Sequence, residues 1–384
     1  MPGAGLPHRR WECGGGLLKL IGITGSYGGL NVGDEAILTC LGGEIRRELE
    51  DVGLVIFSRD AEHTRQHYDA HRVVPVRELT REEVTPEMEA LDLLILGGGG
   101  ILFDSEVLNF LREVRIAQSL GIPTFAASLG AGPLERREGR EATRDALNGM
   151  TEITVRDVEA KQLLEEVGVE VPIAVTADPA WLLKPVEFSD EMLQKEGIDP
   201  ETRLIGFSVR EPGKAAPGLD ETAYHHLIAD AADFAAQRYE TEIVFVPMER
   251  ADIRHAHQVI AQMTYAERAT VLKGSYAPAQ VLGLVSRLEL AIGMRLHFLI
   301  FCALSGVPFL PLPYAQKVSS LARALGLPGE SMIQEGRAGP LLASVDRLWD
   351  LRERRRAEMA AKVPELQARA HETIDAVVRL MGRE

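Results

Sequence analysis

An arginine and a histidine in the second half of the chain are the side chains best placed to do chemistry. Arg295 and His297 follow the strand predicted at 288–292, where a strand pattern gives way through Gly293 to a helical pattern. A guanidinium can bind a carboxylate or phosphate through two parallel hydrogen bonds, and an imidazole exchanges protons near neutral pH. Because α/β proteins bind ligands at the carboxyl ends of parallel strands, the pair suits acid–base chemistry on an anionic substrate. The plainer alternative is an arginine paired with a neighbouring carboxylate and a histidine that caps the helix.

Two further basic residues stand at or after strand ends. Arg156 follows the strand predicted at 153–155, and Lys317 follows the strand predicted at 308–310. Both could add positive charge to a site for an anion. The plainer alternatives are a salt bridge from Arg156 to Asp157 or another carboxylate, and a solvated position for Lys317.

The first glycine-rich loop, residues 24–35, leads from a predicted strand into a predicted helix. Gly28 would let the backbone approach a ligand closely, and Asn31 or Asp34 can cap the helix, whose N-terminus offers free N–H groups. The loop lacks both the dinucleotide fingerprint and the Gly-Lys-Ser/Thr of a nucleotide-binding P-loop. A ligand-binding loop and a simple capped turn both remain as interpretations.

The second glycine-rich loop, residues 97–104, has four successive glycines after the strand predicted at 91–96. Gly98 and Gly99 exceed what a simple turn requires, which favours a close approach of the backbone to a ligand or to another domain. Asp104 could accept hydrogen bonds from sugar hydroxyls. Its alternative role is to cap the helix that follows.

The pattern along the whole chain predicts an α/β protein. Short apolar runs rich in β-branched residues alternate with helical patterns, which is typical of βαβ units in parallel sheets. The predicted strands are 17–24, 54–58, 91–96, 123–128, 153–155, 173–176, 204–209, 243–247, 270–272, 288–292 and 308–310. At 384 residues the chain exceeds one ordinary core. We predict two doubly wound, Rossmann-like lobes at 17–184 and 204–340, a linker at 185–203, and a helical tail at 341–384 whose pattern Pro364 interrupts and which packs on the first lobe.

Charge and hydropathy restrict the classes of partner. The formal net charge of −15 argues against general binding to nucleic acids or anionic membranes, which need a basic surface. The basic run 352–356 is predicted to be a solvated helix face. No segment reaches the roughly 20 consecutive apolar residues of a membrane helix. We therefore expect a soluble, cytoplasmic protein.

The sequence predicts no metal site. Cys13, Cys40 and Cys302 have no paired spacing, which argues against a disulfide framework or a thiolate site. His255 and His257 are one residue apart in a helical pattern, so their side chains should point in different directions. They are poor candidates for metal ligands.

Six motifs taken together resemble the polysaccharide pyruvyl transferase family, and in particular its CsaB-type members. The motifs occur in the family's order and extend over most of the region from about 17 to 326. They are residues 27–35, 97–104, 156–157, 177–180, 293–297 and 314–317.

The resemblance implies an activity and its partners. The fold would be GT-B-like, and the enzyme would transfer the enolpyruvyl group of phosphoenolpyruvate to a sugar as a pyruvate ketal, releasing phosphate without a cofactor or a metal. Likeness to CsaB-type members implies that the acceptor is N-acetylmannosamine in a lipid-linked precursor of a cell-wall polysaccharide, a polymer that anchors surface-layer proteins. Such an acceptor would bring the enzyme to the inner face of the membrane through a peripheral contact. No nucleic-acid partner is implied, and the oligomeric state is left open.

The resemblance also assigns roles to individual residues. Arg156, Arg295 and Lys317 match positions that bind the donor, and Arg295 and His297 match positions that carry catalysis. The loops of the first lobe would hold the acceptor sugar through Gly28, Asn31, Asp34, Gly98, Gly99 and Asp104. The chain departs from the common pattern at Ala160, where many members have Ser, and at 315–316, where Ala-Gln replaces Asp-Pro and leaves Lys317 without that Asp as a partner.

Two other functions remain as alternatives. A nucleotide-sugar glycosyltransferase could use the same two-lobed framework with a different donor, and a non-catalytic relative could only bind sugar. Sugar-binding proteins usually rely on aromatic platforms, however, and only 5% of this chain is aromatic. A dinucleotide-dependent oxidoreductase is disfavoured because the glycine fingerprint is missing.

Overall fold

The chain forms two compact units. The structure is a computed structural model that describes residues 12–13, 16–212, 219–312, 315–327 and 337–382. The first unit holds the described residues up to Gly29, Ile37–Pro179 and those from Arg369 onward. The second unit holds Leu30–Ala36 and the described residues of Ala180–Ala368.

This division differs in three places from the boundaries expected from the sequence. Leu30–Ala36 lies within the expected first lobe but is part of the second unit. The expected linker at 185–203 also belongs to the second unit and includes a short helix, Asp190–Lys195. The helical tail divides between the units after Ala368.

The first unit is built on a parallel sheet. Its strands are β1 Glu12–Cys13, β2 Gly16–Leu17, β3 Lys19–Thr24, β4 Val52–Ser58, β5 Arg72–Pro75, β6 Leu93–Leu96, β7 Gly99–Leu102, β8 Thr124–Ala131, β9 Glu152–Val155 and β10 Ile173–Val175. The sheet has the order β10-β9-β8-β6-β3-β4-β5, with β7 also paired to β8, while β1 and β2 form a separate antiparallel ribbon. The central strands are mostly apolar, as expected of a parallel sheet that is covered by helices on both faces. Ile21, Ile23, Leu94 and Ile95 are accordingly buried.

The helices of the first unit connect these strands. They are α2 Ala61–His67, α3 Arg81–Glu89, α4 Val107–Ser119, α5 Arg137–Asn148 and α6 Val158–Val167, preceded by α1 Val32–Glu48, whose first residues are counted with the second unit. Asp60 caps α2, Thr80 caps α3 and Asp157 caps α6 with side-chain oxygens. Each of these caps satisfies a backbone N–H that would otherwise have no partner within its helix.

The second unit repeats this architecture with a smaller sheet. Its strands are β11 Leu204–Ser208, β12 Glu242–Phe245, β13 Ala269–Val271, β14 Leu288–Gly293 and β15 Phe309–Pro311, in the parallel order β13-β12-β11-β14-β15. Its helices are α7 Asp190–Lys195, α8 Glu221–Tyr239, α9 Arg250–Ile260, α10 Pro278–Val285, α11 Leu296–Leu304, α12 Gln316–Ala324, α13 Ala338–Asp350 and most of α14 Arg352–Met381. Ile205, Phe207 and Ile292 belong to the buried core of this unit.

The helical tail is confirmed, but its interruption is not at the proline. α14 runs continuously through Pro364, and the break between α13 and α14 falls at Leu351. A proline removes one helical hydrogen bond, which buried side chains along the same helix can offset. Leu366 and Ala370 are buried soon after Pro364. Within the described part of the chain, none of the helices has the length and apolar character needed to cross a bilayer.

Candidate functional site

Arg295 of the second unit is held by two carboxylates. It is the N-cap residue of α11 and follows the end of β14. Its Nε lies 2.9 Å from Asp252 Oδ2, its Nη2 lies 2.5 Å from Asp252 Oδ1, and Nη2 also donates to Glu249. The side chain is 8% exposed. Arg295 therefore forms a bidentate pair with Asp252. This is the alternative of a paired arginine that the sequence left open.

The two carboxylates are positioned by the start of α9. Glu249 is the N-cap residue of that helix, and Asp252 three residues later accepts hydrogen bonds from the backbone N–H groups of Met248 and Glu249 at 3.0 and 3.2 Å. Residues three apart lie on one helix face, so both carboxylates meet the same guanidinium. α9 follows β12, which is separated from β14 by β11 alone. The ends of these strands therefore lie at the same edge of the sheet.

The cluster keeps Arg295 charged. Burial alone would lower the pKa of Arg295, but Asp252 and Glu249 outweigh burial and raise it above its ordinary value. Burial alone would raise the pKa of Glu249, but Arg295 and a hydrogen bond from Asn31 outweigh burial and lower it. Asp252 differs, because burial outweighs its bonds to Arg295 and raises its pKa. The group is thus a buried cation held by two carboxylates, of which Glu249 has its charged form favoured.

Asn31 links the start of α1 to this cluster. Its Nδ2 donates to Glu249 Oε2 at 3.2 Å, and its Oδ1 accepts from the N–H groups of Gly33 and Asp34 at 2.8 and 3.3 Å. The predicted capping of the helix is confirmed for Asn31. The Val32 N–H also donates to the Met248 carbonyl at 2.8 Å. Asn31 therefore holds Glu249 while it caps its own helix.

His297 occupies the first turn of α11 and packs against Gly33. The imidazole is half-buried, and a Cβ added at Gly33 would overlap its Nδ1 atom. Only a glycine fits at position 33 while the ring keeps this place. The segment that begins with Asn31 thus contacts both the Arg295 cluster, through Glu249, and His297. Asn31 and Asp34, which the resemblance assigned to the acceptor side of the first lobe, lie instead in the second unit.

Lys317 is half-buried in the first turn of α12, a helix that follows β15. The preceding residue of its motif, Tyr314, lies outside the described residues. The predicted position of Lys317 after a strand end is confirmed. Its role in binding a donor stays a prediction.

Arg156 of the first unit is also paired with carboxylates. Its Nη1 lies 3.2 Å from Asp178 Oδ2, and its Nε lies 3.3 Å from Asp157 Oδ2. The side chain is 6% exposed. Burial alone would lower its pKa, but Asp178 and Asp157 outweigh burial and raise it. The expected alternative of a salt bridge to Asp157 is therefore present, and Asp178 adds a second one.

The glycines in the loops of the first unit allow close contact with other residues of the same unit. A Cβ at Gly130 would lie 2.6 Å from Arg156 Nη2, and one at Gly28 would lie 2.5 Å from the Asp60 backbone nitrogen. Gly28 and Gly99 also have positive φ angles of 129° and 98°, which glycine adopts without steric cost. These glycines are required by packing and backbone conformation within the unit, whether or not a ligand binds there.

The remaining residues of the second glycine loop have structural partners as well. Gly98 is buried, and a Cβ there would lie 3.0 Å from the Ala127 carbonyl oxygen. Asp104 accepts hydrogen bonds from the Glu135 and Arg136 N–H groups at 2.9 and 3.0 Å. Its predicted alternative role as the cap of the next helix is wrong, because α4 begins at Val107 after Glu106 and the carboxylate bonds to a different loop.

The structure thus sorts the predicted residues into two groups, one in each unit. The second unit contains Asn31, Asp34, Arg295, His297 and Lys317, and the first unit contains Gly28, Gly98, Gly99, Asp104 and Arg156. Sequence reasoning missed Glu249 and Asp252. The sequence does show two acidic residues, three positions apart, after a predicted strand. A capping box at a helix N-terminus gives the same pattern, so the pattern alone does not indicate a site.

The fold and the site define a class of protein, a two-unit α/β protein of the GT-B type. Solved structures with this fold include UDP-GlcNAc 2-epimerase from Neisseria meningitidis bound to UDP-GlcNAc, at 12% identity and a TM-score of 0.63, covering 94% of this chain and 100% of that one. The Methanocaldococcus jannaschii UDP-GlcNAc 2-epimerase is similar at 15% identity and a TM-score of 0.61, with 85% and 92% of the two chains covered. Anabaena HepE in complex with UDP and glucose is similar at 15% identity and a TM-score of 0.60, with 96% and 100% covered. Identities this low show the fold alone.

Residues 31–316 match the polysaccharide pyruvyl transferase family. The chain therefore belongs to that family, as the six motifs suggested. No curated protein matches its sequence.

Proposed function

We propose that the protein transfers the enolpyruvyl group of phosphoenolpyruvate to two hydroxyls of a sugar, forming a pyruvate ketal and releasing phosphate. Membership of the family supports the reaction class. The observation that carries the assignment of residues is the position of His297, which lies in the first turn of α11, two residues after Arg295, and packs against Gly33. An acid–base group and a permanent cation at the end of β14 suit a donor with a phosphate and a carboxylate.

Arg295 would bind the donor through the N–H groups of its guanidinium that do not bond to Asp252 or Glu249. The bonds to Asp252 and Glu249 use Nε and Nη2, and an arginine has two more N–H groups on Nη1. In this proposal the bonds to Asp252 and Glu249 hold the guanidinium in one orientation, and its Nη1 atom binds the donor. Lys317 would add a second positive charge for the phosphate.

Arg156 has a different part in this proposal from the one that the resemblance implied. A side chain that is 6% exposed and paired with Asp157 and Asp178 is better suited to hold the loop at Gly130 in place than to bind a donor. The loops that contain Gly28, Gly98 and Gly99 would then present backbone groups to the acceptor sugar. Asp104 is left out of the acceptor site because its carboxylate bonds to the backbone before α5.

The chemistry requires one proton donor and two nucleophilic hydroxyls. His297 would protonate the methylene carbon, which makes the central carbon electrophilic, or would protonate the bridging phosphate oxygen as the phosphate leaves. A proton from an attacking hydroxyl then restores the imidazolium. One sugar hydroxyl attacks that carbon, the carbon–phosphate oxygen bond breaks, and a second hydroxyl closes the ring. One hydroxyl proton ends on the new methyl group and the other on phosphate, so the exchange balances. We propose that these steps need neither a metal nor a cofactor.

The proposed acceptor is an N-acetylmannosamine residue of a lipid-linked precursor of a cell-wall polysaccharide. This choice rests on the likeness to CsaB-type members, and a product of that kind would anchor surface-layer proteins. An enzyme of this type would work in the cytoplasm, at the inner face of the membrane.

The test is an assay with phosphoenolpyruvate and a synthetic β-N-acetylmannosaminyl acceptor, with and without a chelator. We expect stoichiometric phosphate release and a product heavier by one pyruvyl group, and the chelator should not slow it. His297→Gln should lower kcat by about 10²–10⁴-fold, as expected for loss of a general acid. His257→Gln, which changes an exposed histidine of α9, is the matched control and should keep full activity.

Two outcomes would contradict the proposal. Full turnover by the His297→Gln variant would remove this residue from the mechanism. A nucleotide-sugar glycosyltransferase remains the second candidate, since two of the similar structures hold UDP or a UDP-sugar. A rise in the melting temperature with UDP, and none with phosphoenolpyruvate, would favour that candidate.

A further inference from the structure

Two buried histidines on neighbouring helices of the second unit face each other. His225 lies on α8 and His255 lies on α9, and each is 2% exposed. The Nε2 atom of His225 is 3.1 Å from the Nδ1 atom of His255. Buried polar rings need partners, and here each ring directs a nitrogen at the other.

A carboxylate completes a group of three. Glu221 stands four residues before His225 on α8, so both side chains lie on one face of that helix. One ligand atom from each of the three residues, a carboxylate oxygen of Glu221 and one ring nitrogen of each histidine, lies within 4.8 Å of the other two. The three groups converge from two helices whose backbones are fixed by regular secondary structure.

The spacing of the two nitrogens is close to that of ligands to one ion. Zinc–nitrogen bonds of about 2.0–2.1 Å at a tetrahedral angle put two ligand nitrogens about 3.3 Å apart. The observed distance of 3.1 Å is close to this value. A direct hydrogen bond between the rings would have a similar length, so a binding measurement separates the two arrangements.

We propose that Glu221, His225 and His255 bind a divalent first-row transition-metal ion, with Zn²⁺ as the first choice. Two imidazole nitrogens and one carboxylate suit zinc and its neighbours in the series, whereas Mg²⁺ and Ca²⁺ prefer oxygen ligands. The site is separate from the proposed chemistry of phosphoenolpyruvate. Its effect would be on the stability of the second unit, because the ion would link α9 to α8, and it would take no part in turnover.

Two charged residues next to His255 would have opposite effects on the binding of this ion. Glu211 Oε2 lies 4.0 Å from His255 Nε2, where it could orient the ring from the outer side. Arg254 opposes the ion, because its Nη2 lies 3.3 Å from His255 Nε2 and 3.6 Å from a Glu221 oxygen.

The test measures metal binding by the full chain after removal of metals with a chelator. Titration with ZnCl₂ in a calorimeter should show one equivalent bound per chain, and Co²⁺ should give the visible absorption bands of a tetrahedral site. MgCl₂ should give no binding. ZnCl₂ should also raise the melting temperature, because an ion that binds only the folded state stabilises it.

Variants assign the site to its residues. His225→Gln, His255→Gln and Glu221→Gln should each weaken zinc binding by at least about tenfold and remove the cobalt bands. The matched controls are His226→Gln, one residue along α8 and exposed, and His257→Gln, two residues along α9 and exposed; both should bind like the wild type. Arg254→Ala should bind zinc more tightly than the wild type because it removes a neighbouring positive charge.

Clear results would overturn the proposal. Absence of saturable zinc binding to the wild type would leave the two rings as a hydrogen-bonded pair. Zinc binding that is unchanged in folded Glu221→Gln, His225→Gln and His255→Gln variants, or lost in the His226→Gln or His257→Gln controls, would place the ion elsewhere. Because Arg254→Ala changes an exposed side chain, its effect tests the proposal even if the buried histidines cannot be replaced without unfolding. None of these measurements depends on turnover.

Discussion

Arg295 illustrates how a buried cation is stabilised at a strand end. A guanidinium that is 8% exposed needs compensating charge, and Asp252 and Glu249 supply it through bonds that also fix its orientation. Asn31 in turn holds Glu249. Removing Asp252 or Glu249 would leave the buried guanidinium with a single carboxylate partner.

At the same scale, we expect substitution of Gly33 to lower activity about as much as substitution of His297, the residue that it contacts. A Gly33→Ala substitution adds a methyl group where the His297 Nδ1 atom lies, so the imidazole must move. We expect kcat for phosphate release to fall towards the loss seen for His297→Gln, about 10²–10⁴-fold. Steady-state assays with phosphoenolpyruvate and the acceptor measure this loss.

A second glycine of the same helix provides the control. A Cβ at Gly43 of α1 meets no other atom within 4 Å, and the residue is exposed. Gly43→Ala should leave kcat unchanged and stabilise the helix by up to about 1 kcal/mol. Equal activity of the two variants would show that the contact between Gly33 and His297 does not matter for turnover.

At the scale of elements, the last part of α14 is anchored in the first unit by buried hydroxyl groups. Thr373 Oγ1 lies 2.7 Å from Ser128 Oγ and 2.9 Å from Thr176 Oγ1. Ser128 belongs to β8 at a point where its pairing with β9 shifts register, and it has a positive φ of 49°. The hydroxyl network at this irregular point of the strand gives partners to polar groups that would otherwise be buried alone.

Replacing Thr373 with valine should therefore destabilise the fold. Thr373→Val keeps the shape but leaves the Ser128 and Thr176 hydroxyls with fewer partners, which costs about 1–3 kcal/mol of unfolding free energy. Urea denaturation measures the change. Asp375→Asn, an exposed substitution on the same helix, should change stability by less than about 0.5 kcal/mol. If both variants unfold alike, the hydroxyl network does not stabilise the helix.

Most elements could be predicted from the sequence, and the exceptions have physical reasons. Strands such as β4 and β6 are short runs dominated by apolar residues, so the sequence predicts them directly. β5, Arg72–Pro75, has only two central apolar residues and ends in proline, and β7, Gly99–Leu102, begins with two glycines. Glycine and proline are depleted in strands, so these two elements form because neighbouring strands pair with them.

At the scale of the whole molecule, the distribution of charge determines how strongly the protein binds to an anionic membrane. The net charge is −15, and the basic run of α14 is matched by acidic neighbours: Arg354 and Arg355 contact Glu358, and Arg356 contacts Glu353. The prediction of a solvated helix face is consistent with these pairs, because surface pairs along one helix neutralise each other.

We therefore expect the protein not to sediment with phosphatidylglycerol vesicles at about 0.15 M salt, where charges are largely screened beyond about 8 Å. Vesicles that carry the lipid-linked acceptor should recruit it. The double variant Glu353→Gln, Glu358→Gln exposes the basic run and should bind anionic vesicles more than the wild type does. Phosphatidylcholine vesicles are the control, and sedimentation of the wild type with anionic vesicles that lack acceptor would contradict this expectation.

The sequence by itself determined the α/β class, most of the strands, the family and the candidate residues Arg295 and His297, because apolar periodicity and short motifs are local properties of a chain. Only the tertiary structure decided which groups meet. Glu249 and Asp252 reach Arg295 because β12 and β14 flank β11, Gly33 reaches His297 because the start of α1 lies with the second unit, and His225 faces His255 because α8 and α9 are neighbours. Such contacts join residues far apart in the chain, and their pairing depends on strand order and helix packing rather than on spacing along the sequence.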